Sequence, residues 1–259
     1  MPAERSPRFE GPGELERALA LVRFLRRRCP WDGRQTPHTL IPHLLEEAHE
    51  VADAIQGGTP KRLEEELGDL LLNLAFQVVL AEEQGIFGAA GVYLRLEEKM
   101  VRRHPQLFGA GERQEWETLK AAEREDDEGV LSGLARGLDP LTKAHRIQDR
   151  VAGVGFDWED YHGAWEKVGE ELGEVQEALD EGDSEHLEEE LGDLLFAVVN
   201  LTRLAGAHST VALERANRKF RRRFEALEAL ARKRGIHLES AGLEALDELW
   251  EELKQGEDE

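Results

Sequence analysis

The sequence predicts an all-α protein built as tandem duplicated helical-bundle domains. Three observations lead there. β-Branched residues are scarce while Ala, Leu, Glu and Arg abound, residue types that lose little side-chain entropy in a helix. Apolar positions recur at helical spacing, and no stretch alternates apolar with polar residues long enough to argue a strand. Finally, Leu44–Leu72 overlies Val168–Phe196 without a gap, with 15 identical residues in 29 positions. Self-similarity of that fidelity marks a duplicated structural unit.

The elements follow in order. Leu15, Leu19, Val22 and Leu25 form one apolar stripe and predict an opening helix. Thr36-Pro37 reads as an N-cap followed by Pro at the first helical position, starting a helix that Gly57-Gly58 ends. Thr59-Pro60 repeats the device for a helix running to Gly85. Further helices are expected over Gly91–Arg103, Arg113–Glu125, Pro140–Val151, Tyr161–Glu181, Ser184–Leu204, Ser209–Arg234 and Leu243–Lys254. Gly129, Gly133 and Gly137 mark residues 127–139 as a linker. It separates an N-terminal domain, 1–126, from a C-terminal domain, 140–259.

The charge balance narrows the function. With 33 Lys+Arg against 55 Asp+Glu the net charge is −22, which disfavours a nucleic acid partner because phosphate backbones are bound by neutralising them. An anionic membrane surface is disfavoured for the same reason. No apolar run approaches the roughly 18 residues of a membrane span, and Met1–Glu10 holds no signal-peptide core. The single Cys29 excludes an intrachain disulfide and fits a reducing cytoplasm. The expected setting is cytoplasmic, with neither nucleic acid nor membrane as partner.

Each copy of the repeat reads E-E-x-x-E, then 15 residues, then E-x-x-D. Side chains at i and i+3 of a helix share a face, so Glu47 pairs with Glu50 and Glu66 with Asp69. The turn between them folds the two helices antiparallel, and the pairs then face each other across a seam. Leu67, Leu70 and Leu71, like Leu191, Leu194 and Leu195, are expected to pack beside it. Converging carboxylates repel unless a positive charge joins them. Oxygen ligands without Cys or a shared His point to Mg²⁺ or Mn²⁺ rather than zinc. Mg²⁺ held by a few carboxylates keeps positions for phosphate oxygens, so metal-assisted phosphoryl or nucleotidyl hydrolysis is the chemistry suggested.

A basic cluster stands out in this acidic chain: Arg215, Arg218, Lys219, Arg221, Arg222 and Arg223. Lys219, Arg222 and Arg223 share one helical side suited to phosphate oxygens. Lys99, Arg102 and Arg103 are a weaker counterpart in the first copy, and Trp250 offers a ring for stacking on a base. There is no G-x-x-x-x-G-K-[ST] loop, no strand-associated G-x-G-x-x-G and no H-E-x-x-H.

Several segments together carry a family resemblance. They are Cys29-Pro30-Trp31-Asp32, Leu45-Glu46-Glu47, the two Glu-Leu-Gly-Asp segments, and Arg102-Arg103-His104-Pro105. In the second half they are Val154-Gly155-Phe156-Asp157-Trp158, Leu194–Asn200, Ala216-Asn217-Arg218-Lys219-Phe220 and Arg223-Phe224. From about Leu15 to Lys254 the chain resembles the MazG nucleoside triphosphate pyrophosphohydrolases of the all-α NTP pyrophosphatase superfamily. The resemblance implies hydrolysis of NTP or dNTP to monophosphate and pyrophosphate, with water attacking the α-phosphorus. It implies metal ligands at Glu171, Glu174, Glu190 and Asp193. Nucleotide contacts would fall on Lys167 to Glu171, His186 to Glu189, Lys219, Arg223 and Trp250, with Glu170 and Glu171 as candidate catalytic carboxylates. It also implies a homodimer, a catalytic C-terminal copy and a role in nucleotide-pool house-cleaning. Both quartets are intact, so Glu47, Glu50, Glu66 and Asp69 remain candidate ligands.

Two other readings stand beside this one. A carboxylate-bridged di-iron bundle uses E-x-x-H on two helices. Glu46 and His49 supply one such spacing, but Gly173 stands where the second copy would need the His. The third reading is a non-catalytic acidic helical scaffold.

Overall fold

The computed structural model describes residues 14–108 and 129–257. Ten α-helices, one 3₁₀ turn and no strand occur among them. The chain divides into two compact units, Met1–Gln114 and Glu115–Glu259. The helix expected over Arg113–Glu125 lies outside the described residues.

The first unit contains α1 (Glu14–Arg28), a 3₁₀ turn (Asp32–Arg34), α2 (Ile41–Gly57), α3 (Pro60–Glu83), α4 (Ala89–Arg103) and α5 (Pro105–Phe108). α3 is the central element, packed against α1, α2 and α4. Its buried face presents Ala75, Phe76, Val79 and Leu80 to Leu19 and Val22 of α1 and to Leu40. Of the expected stripe on α1, Leu19 and Val22 are core residues and Leu25 is half-buried at its edge. Thr59 caps α3 as expected: its hydroxyl accepts from Arg62 N at 3.2 Å, and Pro60 stands at the first helical position.

The helix expected from Thr36-Pro37 instead begins at Ile41. Thr36 and Thr39 bond reciprocally, backbone N–H to hydroxyl, and tie residues 36–39 into a separate turn. Pro42 has no N–H to give to His38, so an α-helical ladder cannot run through from Pro37.

The second unit contains α6 (Pro140–Ala152), α7 (Tyr161–Glu181), α8 (Ser184–Leu204), α9 (Ser209–Arg234) and α10 (Leu238–Glu257). Residues 129–139 form turns without helix, and Asp139 caps α6 by accepting from Thr142 N at 3.0 Å. α10 breaks at Gly242, whose φ of 75° and ψ of 163° are non-helical, which accounts for the helix expected only from Leu243. α7 and α8 form a tight antiparallel pair; α6 packs on α8 and α9, and α9 on α10. Leu227, Ala231 and Leu249 are buried where α9 meets α10.

Both carboxylate-bearing hairpins turn through a glycine conserved between the copies, for different reasons. Gly182 adopts φ 75°, a left-handed helix end. Gly58 is extended at φ −84°, but a Cβ there would stand 2.7 Å from the Ala54 carbonyl oxygen. Asp183 then caps α8, accepting from the N–H groups of Glu185 and His186.

One packing expectation fails. Leu67, Leu71, Leu191 and Leu195 are all exposed; only Leu70 and Leu194 are half-buried. Leu67, Leu71 and Leu74 recur at i, i+4, i+7, and so do Leu191, Leu195 and Val198. Each row makes a second apolar stripe on its helix, separate from the row that enters the core. No single described helix is long and apolar enough to cross a membrane.

Candidate active site

In the second unit, α7 and α8 bring Glu171, Glu174 and Glu190 together, with one carboxylate oxygen of each within 4.8 Å of the others. Glu171 is the buried member, 4% exposed. Its Oε1 lies 2.7 Å from Lys167 Nζ, while its buried Oε2 has no hydrogen-bond partner. The same ammonium donates to Glu170 Oε1 at 2.7 Å. Those two bonds, to Glu170 and then Glu171, hold Lys167 protonated well above the ordinary lysine range. Asp193 is exposed and outside the three-residue group, as is Glu189.

His186 bridges two carboxylates, with Nε2 at 3.1 Å from Glu190 and Nδ1 at 3.1 Å from Glu181. The bond to Glu181 is the chief cause raising the His186 pKa. Burial, followed by the neighbouring Glu171 carboxylate, pushes the Glu174 carboxyl above the usual range.

The first unit repeats the arrangement with Glu47, Glu66 and Asp69, oxygens again within 4.8 Å. Burial and then the carboxylates of Asp69, Glu50, Glu46 and Glu66 raise the Glu47 pKa. Glu50 thus borders the group without belonging to it. The cations differ between the copies. Arg62, at the place of His186, pairs with Glu66 at 3.2 Å; His43, at the place of Lys167, stands 3.7 Å from Glu46.

The basic residues sit on another helix of the same unit. Lys219, Arg222 and Arg223 lie on α9, which packs against α6, α8 and α10 but not α7. Arg223 is half-buried, its guanidinium 5.2 Å from the Trp250 ring centroid, and Phe220 lies 5.0 Å from that ring. Trp250 is therefore packed into the α9–α10 apolar cluster. Arg221 points outward and pairs with Glu225 at 2.9 Å.

Residues 35–108 and 162–228 match the profile of a family described as the MazG nucleotide pyrophosphohydrolase domain. The chain belongs to the MazG family. It is similar to the nucleoside triphosphate pyrophosphohydrolase/pyrophosphatase MazG of Thermotoga maritima, 42% identical over 250 residues, 94% of this chain and 97% of that protein. The nucleoside triphosphate pyrophosphohydrolase of Escherichia coli K12 is 38% identical over 258 residues, 94% and 98% of the two chains. The uncharacterized protein YabN of Bacillus subtilis is 39% identical over 255 residues, 94% of this chain and 52% of that protein. Both MazG matches contain one carboxylate group, which agrees with the tandem reading of the repeat.

Two features of this MazG chain have no signal in the carboxylate spacing. Glu181, at the end of α7, reaches His186 across the turn. Trp158 lies so close over Gly163 that any Cβ at 163 would overlap its indole, and Arg203 steadies the preceding Asp157 by an ion pair. Gly163, Lys167 and Glu170 follow one another at i, i+4, i+7, so Trp158 sits on the face of α7 that carries the lysine.

Proposed function

We propose that the chain hydrolyses nucleoside triphosphates, NTP or dNTP, to monophosphate and pyrophosphate in a divalent-cation-dependent reaction, with Mg²⁺ or Mn²⁺ at the C-terminal carboxylates. The observation that carries the reading is the orphan Oε2 of Glu171, buried beside Glu174 and Glu190. An oxygen-only donor set with one unpartnered buried oxygen fits a hard divalent cation. Glu171, Glu174 and Glu190 would hold it, with Asp193 one turn further along α8. When bound, the cation neutralises phosphate charge and lowers the pKa of water.

The chain's own residues do the rest in this reading. Lys219, Arg222 and Arg223 bind phosphate oxygens by charge-assisted hydrogen bonds. Lys167, His186 and Glu189 border the nucleotide, and Trp250 packs behind Arg223. Glu170 and Glu171 are the carboxylates proposed to orient the attacking water and accept its proton. Glu47, Glu50, Glu66 and Asp69 form a second cation site in the first unit. The exposed stripes Leu67–Leu71–Leu74 and Leu191–Leu195–Val198 support a homodimer in which a second copy covers them. The net charge of −22 supports a role without nucleic acid or an anionic membrane surface, and the role in this reading is cytoplasmic nucleotide-pool house-cleaning.

Incubation with a panel of NTPs and dNTPs plus Mg²⁺ is expected to release pyrophosphate, and excess EDTA to stop it. Orthophosphate as the first product, or full activity in EDTA, would overturn the proposal. Lys219→Ala and Arg223→Ala are expected to lower kcat/KM roughly ten- to a hundredfold, the scale of a lost charged hydrogen bond. Arg221→Ala, which breaks only an exposed pair, should change little. Equal effects for all three would mean a diffuse electrostatic role.

A further inference from the structure

We propose that Lys167 is the built-in counter-ion of the C-terminal carboxylates, keeping their affinity for a free divalent cation low until a triphosphate draws the ammonium away. This deepens the reading above and rests on it. Lys167 Nζ lies 2.7 Å from an oxygen of Glu170 and 2.7 Å from Oε1 of Glu171. Glu171 is the innermost member of the cluster, its side chain 5% exposed, so half of its ligating capacity is already engaged by a unit positive charge. A cation that settles on the orphan Oε2 meets that like charge across a single carboxylate. Glu171 is buried while Lys167 is 36% exposed, so the two positive charges repel across the shared carboxylate with partial screening by water.

The first unit provides the comparison within the same chain. Its counterpart of Lys167 is His43, which leans towards Glu46 at 3.7 Å rather than towards Glu47. The two copies therefore place a permanent cation differently: Lys167 on the buried Glu171 of the second unit, Arg62 on Glu66 of the first. A lysine ammonium is a flexible point charge and a good phosphate partner. Once a triphosphate stands nearby, moving Nζ from Glu171 to a phosphate oxygen frees Oε1. Cation and triphosphate then assist each other's binding, and that coupling is reciprocal.

The test is Mn²⁺ binding to the full chain without nucleotide, read by electron paramagnetic resonance of free Mn²⁺. A Glu47→Gln, Glu66→Gln background removes the first-unit cluster from the titration. Lys167→Met and Lys167→Gln are expected to bind Mn²⁺ about tenfold tighter than this parent, while Lys167→Arg stays near it. The gain in Mn²⁺ retention on adding α,β-methylene ATP, corrected for Mn²⁺ bound by the nucleotide itself, should shrink in Lys167→Met. Circular dichroism confirms that each variant is folded. Unchanged or weaker Mn²⁺ binding in folded Lys167→Met and Lys167→Gln would overturn the counter-ion role, because a lysine that merely positions Glu171 predicts weakening. Glu171→Gln in the same background tests the underlying reading separately: if it too leaves Mn²⁺ binding unchanged, the metal assignment fails rather than the role of Lys167.

Discussion

Glu190→Gln is expected to lower turnover by at least about a hundredfold, the scale of removing one electrostatic contact from a transition state. The substitution keeps the side chain's shape but takes a negative charge from the group formed with Glu171 and Glu174. It also removes one of the two carboxylates that His186 bridges. Its mirror, Glu66→Gln, should leave much of the activity. Glu66 already pairs with Arg62, and the fuller basic cluster and Trp250 accompany only the second copy. Both variants should remain folded, since relieving repulsion among metal-free carboxylates favours the native state. Steady-state kinetics on the two proteins, with melting curves in EDTA, separate the copies. Loss of activity in Glu66→Gln but not in Glu190→Gln would move the active site to the first unit.

Phe76→Ala should lower the stability of the first unit by about 3–5 kcal/mol, the range for emptying a buried aromatic site. Phe76 is 3% exposed among Leu19, Val22, Leu40, Val79 and Leu80, on the same helix that carries Glu66 and Asp69. The helix that offers the carboxylates is therefore also the one that anchors the core. Chemical denaturation of the variant and parent measures the difference. An unchanged midpoint would mean that α3 is not the organising element of this unit.

Local chemistry was readable from the sequence wherever short-range physics decides. Thr59-Pro60 caps α3, Asp139-Pro140 opens α6, and the E-x-x-E and E-x-x-D spacings converge because a two-residue turn leaves two helices no option but to run back antiparallel. The repeat then made the same convergence expected twice. What escaped depends on neighbours far along the chain. Helical periodicity puts Leu67 and Leu71 on one face but does not say whether another surface covers them; expected to pack beside the seam, they are exposed. The spacing pairs Glu66 with Asp69 and Glu190 with Asp193 equally, yet Asp69 joins its group and Asp193 does not. The partner beside the glutamate also differs, Arg62 on Glu66 and His186 on Glu190. The cluster on α9 shows the same limit. Spacing shows that Lys219 and Arg223 share a side, while only the packing shows that Arg223 lies over Trp250 and that α9 and α7 are not neighbours.

In the proposed reaction, water attacks the α-phosphorus of a nucleoside triphosphate at the C-terminal carboxylates. Hydrolysis of ATP in ¹⁸O-labelled water with Mg²⁺, followed by mass spectrometry of both products, tests it most directly. One ¹⁸O atom is expected in the monophosphate and none in the pyrophosphate, with labelling slowed by at least about a hundredfold in Glu190→Gln. Label in the pyrophosphate would place the attack on the β-phosphorus and contradict it.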